Sequence, residues 1–221
     1  MKKIIQFTNY NNKYAKGEKM EKREDYKKFL EDIRKKPHSI EDMPDRAKDV
    51  LEFFQIDDFS SGVPIVRILT NLGFGIFQSN LEPSGLSAYI AVNPKFESVY
   101  GASKITCVNS NDNGGHKRFA LAHELGHYLF DFDDNKTLNY YNTYFVDKDD
   151  DNPSEKRVNK FAANLLMPKN MFLDKYNEYK KLQSKADIVN ALSKYFIVSS
   201  TAILKRFCEL GIKEFGDNMG I

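Results

Sequence analysis

Only two cysteines, Cys107 and Cys208, occur in the 221 residues, so there is no disulfide framework, and a reducing cytoplasm is the expected setting. Long hydrophobic runs are missing too. No apolar stretch approaches the ~20 residues of a membrane span, and the opening MKKIIQFTNYNNK turns polar too early for a secretion signal. Excess charge of one sign is also missing: 33 basic side chains face 31 acidic ones, leaving +2. That near-balance argues against a dedicated nucleic-acid coat protein. Internal repeats and low-complexity linkers are absent, and the chain reads as one compact unit. What is present suffices for a core: 41% hydrophobic and 13% aromatic residues exclude wholesale disorder.

The balanced total hides uneven segments. Residues 1–155 carry 21 basic and 25 acidic groups, net −4, whereas residues 156–221 carry 12 and 6, net +6. Eight acids crowd residues 131–155 (Asp131, Asp133, Asp134, Asp147, Asp149, Asp150, Asp151 and Glu155) against Lys136 and Lys148.

Along the chain, residues 13–36 mix charges of both signs and read as a solvated helix or frayed arm. AKDVLEFFQI predicts a short helix against the core, through Val50, Leu51, Phe53, Phe54 and Ile56. VPIVRILTNLGFGIFQ predicts a helix ending near Gly73 and turning into a strand, followed by strands at SAYIAVN and KITCVNS. Asn111 to Gly115 form a loop with cap candidates for a helix over 116–130, HKRFALAHELGHYLF. After about twenty acidic loop residues, a helix near SEKRVNKFAANLL begins behind Asn152-Pro153 and stops at Pro168. ADIVNALSKYF and STAILKRFCELG close the chain as helices, with Ser199 or Ser200 capping the second.

His123-Glu124-Leu125-Gly126-His127 is the informative segment. Four residues make a little over one helical turn, so both imidazoles leave one face and can hold one ion, with Glu124 beside them placed to take a proton from water. With four His and thirteen Glu in the chain, chance alone supplies roughly 0.004 such matches. The bland alternative is a pair of core histidines bonded to backbone carbonyls. A catalytic zinc wants a third protein ligand and an open position. The extended H-E-x-x-H-x-x-G-x-x-H pattern fails, because Phe130 replaces its glycine and Asp133 its third histidine. Asp131, Asp133 and Glu155 remain open as third ligand, although a glutamate at a helix start can also be a surface acid favoured by the helix dipole. Asn159 lies one turn beyond Glu155 and could orient a ligand from behind.

HKRFALAHELGHYLF followed by SEKRVNKFAANLLMP resembles the ImmA/IrrE family of zinc metallopeptidases. Its pattern runs R-x-F-x-x-A-H-E-L-G-H, then E-x-x-A-N-x-F-A-A-x-L-L-M-P. Arg118, Phe119, Ala122 and His123 to His127 match the first block; Glu155, Asn159, Phe161 to Ala163 and Leu165 to Pro168 match the second, with Val158 standing where the family usually has Ala. KITCVNS and FIVSSTAILKRFCELGI add agreement at either side. The resemblance implies an α+β, zincin-like fold: a small twisted sheet, the helix carrying HELGH, and a C-terminal helical, helix-turn-helix-like subdomain. It implies zinc held by His123, His127 and Glu155, with Glu124 as catalytic base and Asn159 behind the ligands. On that reading, residues 1–59 are a charged helical region, 60–170 the metallopeptidase core and 171–221 the helical subdomain. KITCVNS would be the edge strand receiving an extended peptide, or else an ordinary strand of the sheet. Tyr128, Tyr140, Tyr141, Tyr144 and His116 lie within reach as oxyanion stabilisers, with nothing to choose among them.

The function implied is a cytoplasmic endopeptidase that cleaves a specific regulator, a helix-turn-helix repressor of a mobile element or stress operon. The acidic stretch before Glu155 would favour such a basic, DNA-binding substrate. Two alternatives from other classes stand beside it. One is a zinc-stabilised module that sequesters a regulator without cutting it. The other is direct DNA binding through the C-terminal helices, where Lys205 and Arg206 are the strong phosphate contacts on STAILKRFCELG. Cys107 and Cys208 are expected to be buried thiols.

Overall fold

The computed structural model describes residues 5–6, 21–60, 62–81, 85–132, 139–143, 152–182 and 184–215. The fold is mixed α+β. In chain order the elements are β1 (Ile5–Gln6), α1 (Glu21–Lys35), α2 (Met43–Phe53), α3 (Ile65–Asn71), β2 (Phe74–Ser79), β3 (Ala88–Val92), α4 (Glu97–Tyr100) and β4 (Lys104–Asn109). Then come α5 (Gly114–Phe130), β5 (Asn139–Thr143), α6 (Pro153–Leu166), α7 (Lys169–Tyr179), α8 (Lys185–Phe196) and α9 (Ser200–Glu209).

Helix starts follow the side chains placed before them. Asn113 accepts from the His116 N–H to open α5, Asn152 from the Ser154 N–H to open α6, and Ser199, rather than Ser200, from the Ala202 N–H to open α9. Pro153 sits in the first turn of α6, where its missing N–H costs nothing. Of the charged segment 13–36, α1 begins at Glu21; Phe29 and Ile33 are buried against the body of the protein, and residues 13–20 lie outside the described residues.

Strand order in the sheet is β1-β2-β4-β3-β5, with β2 and β4 parallel and every other pair antiparallel. This corrects the assignment of KITCVNS as a peptide-receiving edge. β4 is hydrogen-bonded on both sides, so its backbone has no free donors or acceptors for a further strand. Its burial agrees, since Ile105 through Asn109 are all buried. The acidic connection after α5 also holds a strand, β5, which pairs with β3 where only loop was expected.

One core cluster runs from Phe29 to Phe215 and joins α1, α2 and α3, one face of the sheet, α5, α6 and the last three helices. A smaller cluster of Phe77, Ala91, Ile105 and Cys107 covers the opposite face. The C-terminal pair is seated on α5 at two points. A Cβ on Gly115 would stand 2.8 Å from both Ser199 N and Val198 C, so only glycine permits this approach. Arg118 donates from Nε to the Ile197 carbonyl (3.1 Å) and from Nη2 to the Val63 carbonyl (2.7 Å). Ile197 itself sits at φ +53, a conformation costly for a β-branched residue that this bond helps to hold.

Expectations for two more residues need correcting. Arg206 is no phosphate contact: it is 2% exposed, its guanidinium donating to the Met167 carbonyl (3.1 Å), Asn164 Oδ1 (2.8 Å) and Glu209 (2.6 Å). Position 206 follows Ile203 by three residues and so shares the buried face of α9. Cys107 is buried as expected, whereas Cys208 is exposed.

Candidate metal centre

The two histidines sit in the second half of α5, on its fully buried stretch from Ala120 to Leu129. Helix α6 crosses that stretch closely enough that a Cβ on Gly126 would stand 3.0 Å from Val158 Cβ and 3.1 Å from its Cγ1. This crossing delivers the carboxylate of Glu155, from the first turn of α6, to both imidazoles. His123 Nε2 lies 3.1 Å from Glu155 Oε2, His127 Nε2 lies 3.1 Å from Oε1, and the two Nε2 atoms are 3.0 Å apart. His123, His127 and Glu155 thus form a cluster that could hold a metal ion.

The far side of each ring is also occupied. His123 Nδ1 meets Asn159 Oδ1 at 2.9 Å, and His127 Nδ1 meets Asp131 Oδ2 at 2.8 Å. Both partners are acceptors, so in the neutral rings both Nδ1 atoms carry the proton and both Nε2 atoms present lone pairs. Two lone pairs and a carboxylate at about 3 Å repel one another unless a cation lies among them. The donor set fits such an ion. Zinc-type bonds of about 2.0–2.2 Å at tetrahedral angles separate donors by roughly 3.3–3.6 Å, only slightly wider than found here. Two imidazoles with one carboxylate suit a first-row transition ion or zinc; calcium would need six or more oxygens.

Protonation behaves as this crowding requires. Burial alone would push the His127 pKa down, but the hydrogen bonds that Asp131 and Glu155 accept from it overcome this and lift the pKa to about 9. For His123 burial dominates and the pKa falls. Burial works to raise the Glu155 pKa, yet the bonds and charges of the two imidazoles bring it far below the usual carboxylate range. Glu124 is wholly buried, and its charge also helps to lift His127.

The acid stretch contributes differently from expectation. Asp131 is directed at the rear nitrogen of His127, on the side away from the three donors, so it is not a ligand here. It also accepts from Ser154 Oγ at 2.9 Å and pairs with Arg157. Neither Ser154 nor Arg157 was singled out from the sequence. An acid four residues after a helical histidine shares its face, which was the available signal. Tyr128 points elsewhere: its hydroxyl accepts from Lys104 Nζ at 2.6 Å and its ring packs edge-on to Phe74. Asp133, and the side chains of Tyr140, Tyr141 and Tyr144, lie outside the described residues.

Comparison with known families matches residues 71–207 to the peptidase family M78, described as the IrrE N-terminal-like domain. The chain belongs to this family. Its match spans β4, α5 and α6 and ends within α9, so the M78 unit includes the C-terminal helical pair as well as the donor cluster. The M78 assignment agrees with the ImmA/IrrE resemblance and with the zincin-like α+β fold. No curated protein matched the chain. Among the described residues, no helix is long and apolar enough to cross a membrane.

Proposed function

We propose that the chain is a cytoplasmic, zinc-dependent endopeptidase acting on a specific regulatory protein. The observation that carries the proposal is the convergence of His123 Nε2, His127 Nε2 and the Glu155 carboxylate, with both rear nitrogens already engaged. His123, His127 and Glu155 would hold zinc. When bound, zinc supplies Lewis acidity, polarising the scissile carbonyl and making a nearby water more acidic. Glu124 accepts the proton of the attacking water and passes it to the departing amine nitrogen, a shuttle for which a buried carboxylate is suited. Asn159 keeps the His123 ring turned with Nε2 inward. The zincin-like peptidase family supports peptide hydrolysis as the reaction class.

The substrate proposed is a helix-turn-helix repressor of a mobile element or stress operon, as the family resemblance implies. The net −4 of residues 1–155 would draw in a basic partner. Direct DNA binding is disfavoured, because burying Arg206 leaves Lys205 as the one strong cation of STAILKRFCELG facing solvent.

The test incubates zinc-loaded wild type and Glu124→Gln with a helix-turn-helix repressor from the same genome, and follows products by mass spectrometry. Discrete fragments from wild type alone support proteolysis. A stable complex with both proteins and fragments with neither would sink it in favour of sequestration.

A further inference from the structure

Behind the three donors, the two imidazoles are held by unlike partners. His123 Nδ1 faces the neutral amide oxygen of Asn159 at 2.9 Å, whereas His127 Nδ1 faces the Asp131 carboxylate at 2.8 Å. Asp131 is itself fixed from two directions by α6, through Ser154 Oγ at 2.9 Å and through Arg157, which also donates to Ser154 Oγ at 3.3 Å. These anchors flank Glu155 in the first turns of α6, so the docking that delivers the third donor also locks the residue behind His127. The Asp131 and Arg157 side chains are 11% and 18% exposed, and that of His127 is not exposed at all.

An imidazole whose rear N–H is bonded to a carboxylate carries more electron density on its opposite nitrogen than one bonded to an amide, and its ring is held by a stronger, charge-assisted bond. Arg157 and Ser154 keep that carboxylate from swinging to solvent or turning inward to compete with Glu155. We propose that Asp131, clamped by Ser154 and Arg157, is the positioning residue of this centre and makes His127 the stronger of its two nitrogen donors. The proposal rests on the reading of His123, His127 and Glu155 as the ligand set, and concerns how tightly that set holds its ion, apart from what is hydrolysed.

Zinc affinity of the full chain, measured by competition with a chromophoric chelator, tests it. Thermal melts in excess chelator establish that each variant folds, and the absorption of a cobalt(II)-loaded form reports the ligand field. Asp131→Asn keeps the shape and removes the charge; it should weaken zinc binding about 10–100-fold. Arg157→Ala should weaken it in the same direction but less. Asn159→Asp gives His123 the backing His127 already has and should tighten binding while shifting the cobalt bands, a gain that misfolding cannot mimic. If Asp131→Asn does not fold, Asn159→Asp decides the matter. Wild type that binds zinc and loses it in His123→Ala, alongside Asp131→Asn and Asn159→Asp within twofold of wild type, overturns this proposal alone. Wild type that binds no zinc overturns the ligand set beneath it.

Discussion

Replacing Arg206 by alanine separates a structural arginine from a surface one. In the fold, Arg206 satisfies the Met167 carbonyl at the end of α6 and the Oδ1 of Asn164, which is 6% exposed. Alanine leaves both acceptors without this donor, at about 1–3 kcal/mol each. The Glu209 bond ends on a side chain 33% exposed and adds about 0–1 kcal/mol. Relief from burying a guanidinium offsets part of this, so the expected loss is about 3–4 kcal/mol. That is a large share of the ~5–15 kcal/mol by which domains are stable. With a urea slope of about 2 kcal/mol per M, the unfolding midpoint should fall by roughly 1.5–2 M at unchanged slope. Arg206→Lys keeps the charge without the planar fork and should fall between the two. Lys205→Ala, on the exposed side of α9, should stay within about 0.5 kcal/mol. If Arg206→Ala were equally silent, the burial argument would fail and phosphate contact by this helix would return to consideration.

Three further outcomes are expected. In the metal-free protein, His127 is lifted from 6.5 to about 9 on folding, so its stabilising contribution is full below pH 6.5 and lost as pH rises through 9. Melting temperature in chelator should therefore decline across that window, while the zinc-loaded protein should not follow it; a flat metal-free profile contradicts the shift. Gly115→Ala should destabilise, because overpacking against backbone atoms costs about 1–3 kcal/mol and outweighs the helix-propensity gain of about 1 kcal/mol. Gly114→Ala, with nothing within 4 Å, should be neutral or better in the same denaturation series. Under native conditions a thiol reagent should label Cys208 and spare Cys107, which is buried with its pKa raised to about 11; mass spectrometry showing equal labelling would refute that difference.

Much of the centre was legible because a helix converts spacing directly into direction. His123 and His127 share a face by being four apart, and so do Glu155 and Asn159. What spacing cannot show is which face meets which across space. Asp131 was weighed as a ligand because charge and proximity were visible, while its aim at the rear of His127 depends on how α5 ends against α6. The central place of β4 left a readable trace: ITCVN lacks the polar alternation of a one-sided strand, as its unbroken burial now explains. Helix α7 left little trace. Only Phe172 of its residues is buried, so no apolar stripe announces it after Pro168.

Val158 stands where the family usually has Ala, a change of size on a helix face. Its position against Gly126 gives it a different meaning, since the separation of the two helices sets the separation of the donors they carry. The glycine inside HELGH and the valine facing it together set how closely α5 and α6 approach. A side chain at 126 would press on Val158 and Phe161 and shift them by a few tenths of an ångström, without touching His123, His127 or Glu155. The spacing of the three donor side chains therefore rests in part on an apolar contact between two helices, and not on the donors alone.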